Sequence, residues 1–202
     1  MIGIKDLLMF PHRLRMWLKG LGHGRGFGIQ SPWAYQFVYY VINERQPYYA
    51  YAQLNKLHPD LDSGTRRLAE LYFRIANYRQ AEWWGFCLEQ YDVWADYVKA
   101  GCRRSKVIDC TNVYDQESIP QCDVLVITLN DDWQRVYNQF AMHVGPESIL
   151  IIEGIHASQS AYKAWKMMLE DKHSGVSFDL YRCGIIFFNK QMYKQHYTLN
   201  FR

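Results

Sequence analysis

From Ala81 onward the chain alternates between short, almost continuously apolar runs and longer stretches in which apolar residues return every three or four positions. These are the signatures of buried strands followed by amphipathic helices. Ala81 to Cys87, Lys106 to Cys110, Asp123 to Leu129 and Ser148 to Ile152 read as strands, and the run Val124 to Ile127 is apolar on both faces, as in a sheet covered on both sides. Helical faces are marked by Tyr91, Trp94, Ala95 and Val98, then by Trp133, Val136, Tyr137 and Phe140, then by Ala161, Ala164, Trp165 and Met168. Gly101 stands where a left-handed residue closes a helix, and Gly145-Pro146 breaks the chain before the fourth strand. Such alternation predicts right-handed crossovers in a mainly parallel sheet, with ligands bound beyond the carboxyl ends of the strands. The end of the chain differs, because Val176, Phe178 and Leu180 alternate with polar residues and Ile185 to Phe188 follow across Arg182 to Gly184, predicting an antiparallel hairpin.

Before Ala81 the pattern is helical. Ser31-Pro32 predicts an N-cap with proline at the first helical position and a helix reaching about Asn43. A Tyr-rich stretch after Pro47 and a loop from His58 to Gly64 follow, and Leu68, Leu71, Tyr72 and Ile75 then predict a helix ending near Tyr78. The fold class is therefore α/β, a Rossmann-like doubly wound, mostly parallel sheet ending in an antiparallel hairpin. Residues 1–64 form an N-terminal helical extension and residues 65–202 one compact α/β domain. Between Thr111 and Gln121 no period emerges. Near the N-terminus, Ile4, Leu7, Leu8, Leu14, Trp17 and Leu18 interleave with Lys5, Arg13, Arg15 and Lys19 around Pro11. That pattern suits an interfacial amphipathic helix docking on a partner or membrane surface, or a helical arm packing on its own domain.

Composition narrows the classes. The chain has 202 residues, 49% of them hydrophobic and 21% charged, which suits one domain with a packed core. A net charge of +3 argues against a nucleic-acid binder, which needs clustered basic residues; Arg103, Arg104 and Lys106 read as a solvated turn. Five cysteines without a Cys-x-x-Cys suggest neither a disulfide framework nor a zinc site, and a reducing cytoplasm fits them. No stretch reaches the roughly 18 apolar residues of a membrane span, and a signal peptide is not evident. The 16 Tyr, 10 Phe and 7 Trp supply core, with some left for a pocket or a homodimer face.

Two stretches carry a resemblance. His23-Gly24-Arg25-Gly26-Phe27-Gly28-Ile29-Gln30-Ser31-Pro32 is similar to the His-Gly-x-Gly-x-x-Ser-Pro-Phe segment near the N-terminus of a bacterial O-methyltransferase-like branch of class I S-adenosylmethionine (SAM) dependent methyltransferases. Ser148 to Ser158 resembles that family's strand ending in Asp-Asp-Ile-His, and Gly184 to Arg202 its closing hairpin and tail. With the helix Tyr72 to Tyr78, the likeness covers about two thirds of the chain. It implies a methyltransferase fold and SAM as the cofactor to consider. The Gly24-x-Gly26-x-Gly28 run also loosely imitates a phosphate loop, but it follows no strand and lacks the Lys-Ser/Thr of a P-loop.

Departures from the family pattern bear on function. Where the family has an acidic-Leu-Gly-x-x-x-Gly turn after the first strand, this chain has Trp83-Trp84-Gly85-Phe86-Cys87-Leu88-Glu89. A Gly-Ala-Gly-Ser loop expected before the Tyr72 helix is absent, as is a third strand between Cys110 and Asp123. The resemblance leaves Gly85, Asp109 and Asn130 as cofactor-binding candidates, Asp109 through the ribose hydroxyls. It leaves His156 and Glu153 as catalytic candidates, His156 as general base for a hydroxyl substrate. Asp131 and Asp132 read as a helix cap or, with Glu153, as hard-cation ligands; no metal is assigned. The chain is thus expected to be a shortened, degenerate methyltransferase-like protein binding a small molecule or protein partner. An active small-molecule O-methyltransferase is the alternative.

Overall fold

The computed structural model describes residues 29–111 and 118–201. The amphipathic N-terminal segment and the Gly24 to Gly28 run lie outside the described residues. Helix α1 (Pro32–Phe37) begins as predicted, with Ser31 Oγ accepting from the Ala34 amide at 3.3 Å, and continues into a π-helical turn, Val38–Ile42. The buried Arg74 guanidinium donates to the carbonyls of Val41 at 2.6 Å and Ile42 at 3.4 Å, satisfying groups that a helix end leaves open.

Helix α2 (Tyr49–Leu57) was not predicted, because tyrosines fall on both of its sides. Tyr51 meets Phe73 edge to face at 5.1 Å while Tyr49 is fully exposed, and only Leu54 is buried. Helix α3 (Ser63–Arg79) starts earlier than the apolar pattern does, since Asp62 caps it by accepting from the Gly64 and Thr65 amides.

Strand β1 (Trp83–Cys87), helix α4 (Asp92–Gly101), β2 (Lys106–Asp109), β3 (Val124–Thr128), α5 (Trp133–Ala141), β4 (Ile149–Glu153) and α6 (Gln159–Glu170) follow the predicted alternation. The chain closes with β5 (Ser177–Asp179), β6 (Cys183–Phe187) and β7 (His196–Thr198). The strands make one seven-stranded sheet in the order β2-β1-β3-β4-β6-β5-β7. Pairing is parallel from β2 to β4, antiparallel around β6, and parallel again between β5 and β7. This is a Rossmann-like α/β fold closed by an antiparallel hairpin. Strand β7 carries no apolar alternation and escaped the sequence pattern. Among the described residues no strand separates Asp109 from Val124.

Alternate side chains of each strand feed separate cores. Trp84, Phe86, Val124, Val126, Ile149 and Ile151 pack with α1, α3 and α4. Leu125, Ile127, Leu150 and Ile152 pack with α5 and α6. No helix among the described residues is long and apolar enough to cross a membrane.

Gly101 corrects its expected role. It is the last helical residue of α4, not a left-handed terminator, and a Cβ on it would lie 2.3 Å from the Phe73 backbone oxygen of α3. The glycine is there for close helix approach. In an open helix Gly→Ala stabilises by about 1 kcal/mol; here overlap with backbone outweighs that gain. Gly101→Ala should destabilise by about 1 to 3 kcal/mol, read as a lower urea midpoint at unchanged m-value.

Candidate functional site

The carboxyl ends of β1, β3 and β4 open onto a cleft of ≈ 540 Å³, within the range of small-molecule sites. Its lining includes Glu89 from the turn after β1, Asn130 and Asp132 between β3 and α5, and Glu153 at the end of β4. The rings of Trp94 and Trp133 flank it, and no Lys, Arg or His lines it.

Glu153 is the most constrained of these groups. Tyr72, fully buried on α3, donates its hydroxyl to Glu153 Oε1 at 2.6 Å. Burial pushes the carboxyl above its usual 4.5, against the opposing effects of the Tyr72 hydrogen bond and the Arg182 charge. Asn130 turns its side chain back on its own loop, with Oδ1 accepting from the Asp132 amide at 3.2 Å. Asp132 stands at the N-cap position of α5, as expected, but its side chain makes no cap bond. Among the described residues, no three His, Cys, Asp or Glu side chains gather in a metal-binding group.

Gly85 does not belong to the cleft. It lies inside β1, where a Cβ would come 2.4 Å from Cys122 Sγ and 2.9 Å from Cys110 Sγ. It is a packing glycine rather than part of a cofactor turn. The bulky neighbours also avoid the cleft: Trp84 and Phe86 are fully buried beneath α3, with ring centroids 6.4 and 6.5 Å from Tyr72, and Trp83 lies under Lys106 Nζ at 4.5 Å. The turn after β1, Leu88-Glu89-Gln90, carries no glycine, and the large residues of the strand do not line the space beyond it.

Asp109 ends β2 but does not line the cleft. Its Oδ1 accepts from the Thr111 amide at 2.8 Å and hydroxyl at 2.6 Å. Burial, and then the Asp109 charge, raises the Tyr91 hydroxyl above its ordinary pKa, and the Tyr91 ring stacks on Phe86 at 5.6 Å. The carboxylate that the family resemblance assigns to a ribose is therefore engaged by protein groups.

His156 is brought to a different place. It is 5% exposed, and its Nε2 donates to the Asp179 carboxylate at 2.8 and 3.1 Å. Its ring stacks between Tyr162 and Tyr181, each at 4.9 Å. Asp179 Oδ1 also accepts from the Tyr181 amide at 2.9 Å, where Tyr181 adopts φ 69° to turn β5 into β6. With the Gly154 amide donating to the Arg182 carbonyl at 2.8 Å, the pair ties the loop after β4 to the hairpin turn. His156 is outside the lining of the cleft. Of the basic cluster, Arg104 donates to the Gln80 carbonyl at 2.9 Å and Lys106 pairs with Glu82 at 2.9 Å.

No family model matches this sequence, and no curated protein matches it. Among solved structures it is similar to MycE, a methyltransferase from the mycinamycin biosynthetic pathway solved in complex with Mg and SAH, at 11% identity and a TM-score of 0.48, over 73% of this chain and 51% of that one. It is also similar to a methyltransferase from Geobacter sulfurreducens, at 11% identity and a TM-score of 0.47, over 88% of this chain and 96% of that one. The chain spans about half the length of MycE.

Two outcomes follow from this geometry. The folded protein holds the Glu153 proton more tightly than the unfolded chain does. That contribution to stability is present below the unfolded pKa and is lost as pH rises from 4.5 through the folded value. Urea unfolding at a series of pH values should show the decline, and Glu153→Gln should flatten it. His156→Ala leaves Asp179 buried without its partner and should cost about 3 to 5 kcal/mol of stability, measured by thermal and chemical denaturation.

Proposed function

We propose that this protein is a methyltransferase-type scaffold that has lost orthodox SAM binding and uses its residual cleft to bind a small molecule or a group presented by a protein partner. The scaffold half of this reading is supported by the sequence resemblance and by the hairpin-closed parallel sheet.

The observation that carries the other half is Asp109, tied to Thr111 and outside the cleft lining. A ribose needs a carboxylate with open acceptor positions, and nucleoside approach needs a turn bare of Cβ atoms. The turn is not bare, reading Leu88-Glu89-Gln90, and Asp109 stands outside the cleft lining with its Oδ1 shared by the Thr111 amide and hydroxyl. What remains over β1, β3 and β4 is a pocket with carboxylates, amides and indole rings. The residues do not fit SAM in the family's manner.

A second reading, an active small-molecule O-methyltransferase with an unorthodox SAM site, is favoured by one feature. Glu153 is a cleft carboxyl whose proton affinity burial raises, as a general base at neutral pH requires. In that reading Glu153 replaces His156 as the base.

Calorimetric titration with SAM, its demethylated product and adenosine separates the two. The scaffold reading expects no binding at micromolar concentration for any of them. Micromolar SAM binding that Asp109→Ala weakens at least tenfold would overturn it and favour the enzyme.

A further inference from the structure

The charge around the cleft is one-sided. Glu89, Asp132 and Glu153 reach it from the ends of three neighbouring strands, and among the described residues no Lys, Arg or His lines it. Glu89 and Asp132 are exposed, and no ion pair among the described residues holds either carboxylate. Glu153 is more enclosed: its Oε1 takes the Tyr72 hydroxyl at 2.6 Å, which leaves Oε2 for the cleft. Arg182 acts on Glu153 through its charge alone. Its guanidinium lies over Gly64 at the start of α3, 3.9 Å from Asp62 Oδ1. A carboxylate drawn out of water is costly unless a positive group faces it, and on the cleft side of Glu153 the protein supplies none.

The other walls select among cations. Trp94 from α4 and Trp133 from α5 line the cleft, with Leu88, Ile127 and Val136 as apolar surface. The Trp94 ring is fixed edge to face on Tyr72 at 5.3 Å, and Trp133 is half-buried. An indole attracts a positive charge more strongly than any other side-chain ring, and best when the cation is weakly hydrated. A hard metal ion needs a closed shell of oxygen ligands, whereas among the described residues no group of three acidic, His or Cys side chains gathers to hold one. Anions are repelled from such a mouth.

We propose that the cleft binds a small organic ammonium ion, its charge set against Glu153 and the indoles of Trp94 and Trp133, with Glu89 and Asp132 drawing it in from the rim. The proposal rests on the reading that this cleft no longer takes a nucleoside, and it names the ligand class that the cleft takes instead. The ligand is an amine with methyl or other apolar substituents, free of carboxylate and phosphate, and within the ≈ 540 Å³ available. The substituents lie on the indoles and the aliphatic wall, where their burial adds to the attraction between charges.

Calorimetric titration of the full-length protein with choline and with 3,3-dimethylbutan-1-ol, the same shape with carbon in place of the charged nitrogen, tests this. Choline should bind with a dissociation constant on the order of 1 mM or tighter, as suits so small a ligand, and the neutral alcohol at least tenfold more weakly. Raising the salt from about 0.02 to 0.5 M should weaken choline alone. Trp133→Ala should cost choline about tenfold in affinity. Glu153→Gln, which keeps an acceptor for Tyr72, should cost at least as much. Where that variant fails to fold, Glu89→Gln with Asp132→Asn, both exposed, should still reduce the salt dependence. Equal binding of choline and the alcohol, no choline binding at 10 mM, or unchanged affinity in Trp133→Ala would each overturn the proposal. Parallel titrations with SAM and adenosine keep the two readings apart: silence from all three ligands sinks the ammonium site and leaves the scaffold reading standing, whereas micromolar SAM or adenosine binding overturns the scaffold reading and the proposal that rests on it.

Discussion

Burial of β3 and β4 on both faces governs the rest of this molecule. Val124 to Ile127 and Ile149 to Ile152 are all within 1% of complete burial, and apolar strands of this kind are stable only with cover on each side. That requirement sends α3 and α4 to one face and α5 and α6 to the other. It also leaves no place for polar chemistry along the strands. The first positions at which side chains can hold water or a ligand are the strand ends, and Glu153 is where β4 reaches that boundary.

The few polar groups that do enter the interior act as ties between distant segments. Arg74 binds α3 to the π-helical turn, Tyr72 binds α3 to the end of β4, and His156 with Asp179 binds the loop after β4 to the closing hairpin. Each tie crosses at least 20 residues of sequence and joins elements that share a core. A buried polar group is costly unless satisfied, so these contacts fix one arrangement of the helices on the sheet more than they add net stability.

The strands, the helices behind them and the hairpin were legible because their spacing is set by burial, which the sequence states directly. Helix α2 was not, because a tyrosine satisfies both a buried and an exposed position and so erases the period. The candidate site was legible only in part. Glu153 and Asn130 could be placed at strand ends from the alternation alone. Gly85 was ambiguous, because a glycine at a strand looks the same whether a ligand or a sulfur atom occupies the space beside it. His156 has an analogous ambiguity, since its partner Asp179 lies on another strand and only the sheet order brings the two together. The meeting of Cys110 and Cys122 beside Gly85 had no local signal at all, as it depends on β2 and β3 flanking β1.

The π-helical turn Val38–Ile42 has a consequence for the surface. Each residue of an α-helix advances by about 100°, so a turn that accommodates one extra residue shifts the phase of everything after it by that angle. Here Val38, Val41 and Ile42 all face the core, while Tyr39 and Tyr40 are left side by side outside, with ring centroids 4.9 Å apart and planes at 79°. The turn takes up its extra residue while Val38, Val41 and Ile42 keep their interior positions. The paired rings are then the outward trace of an accommodation made inside, a reason for their exposure that calls for no binding partner.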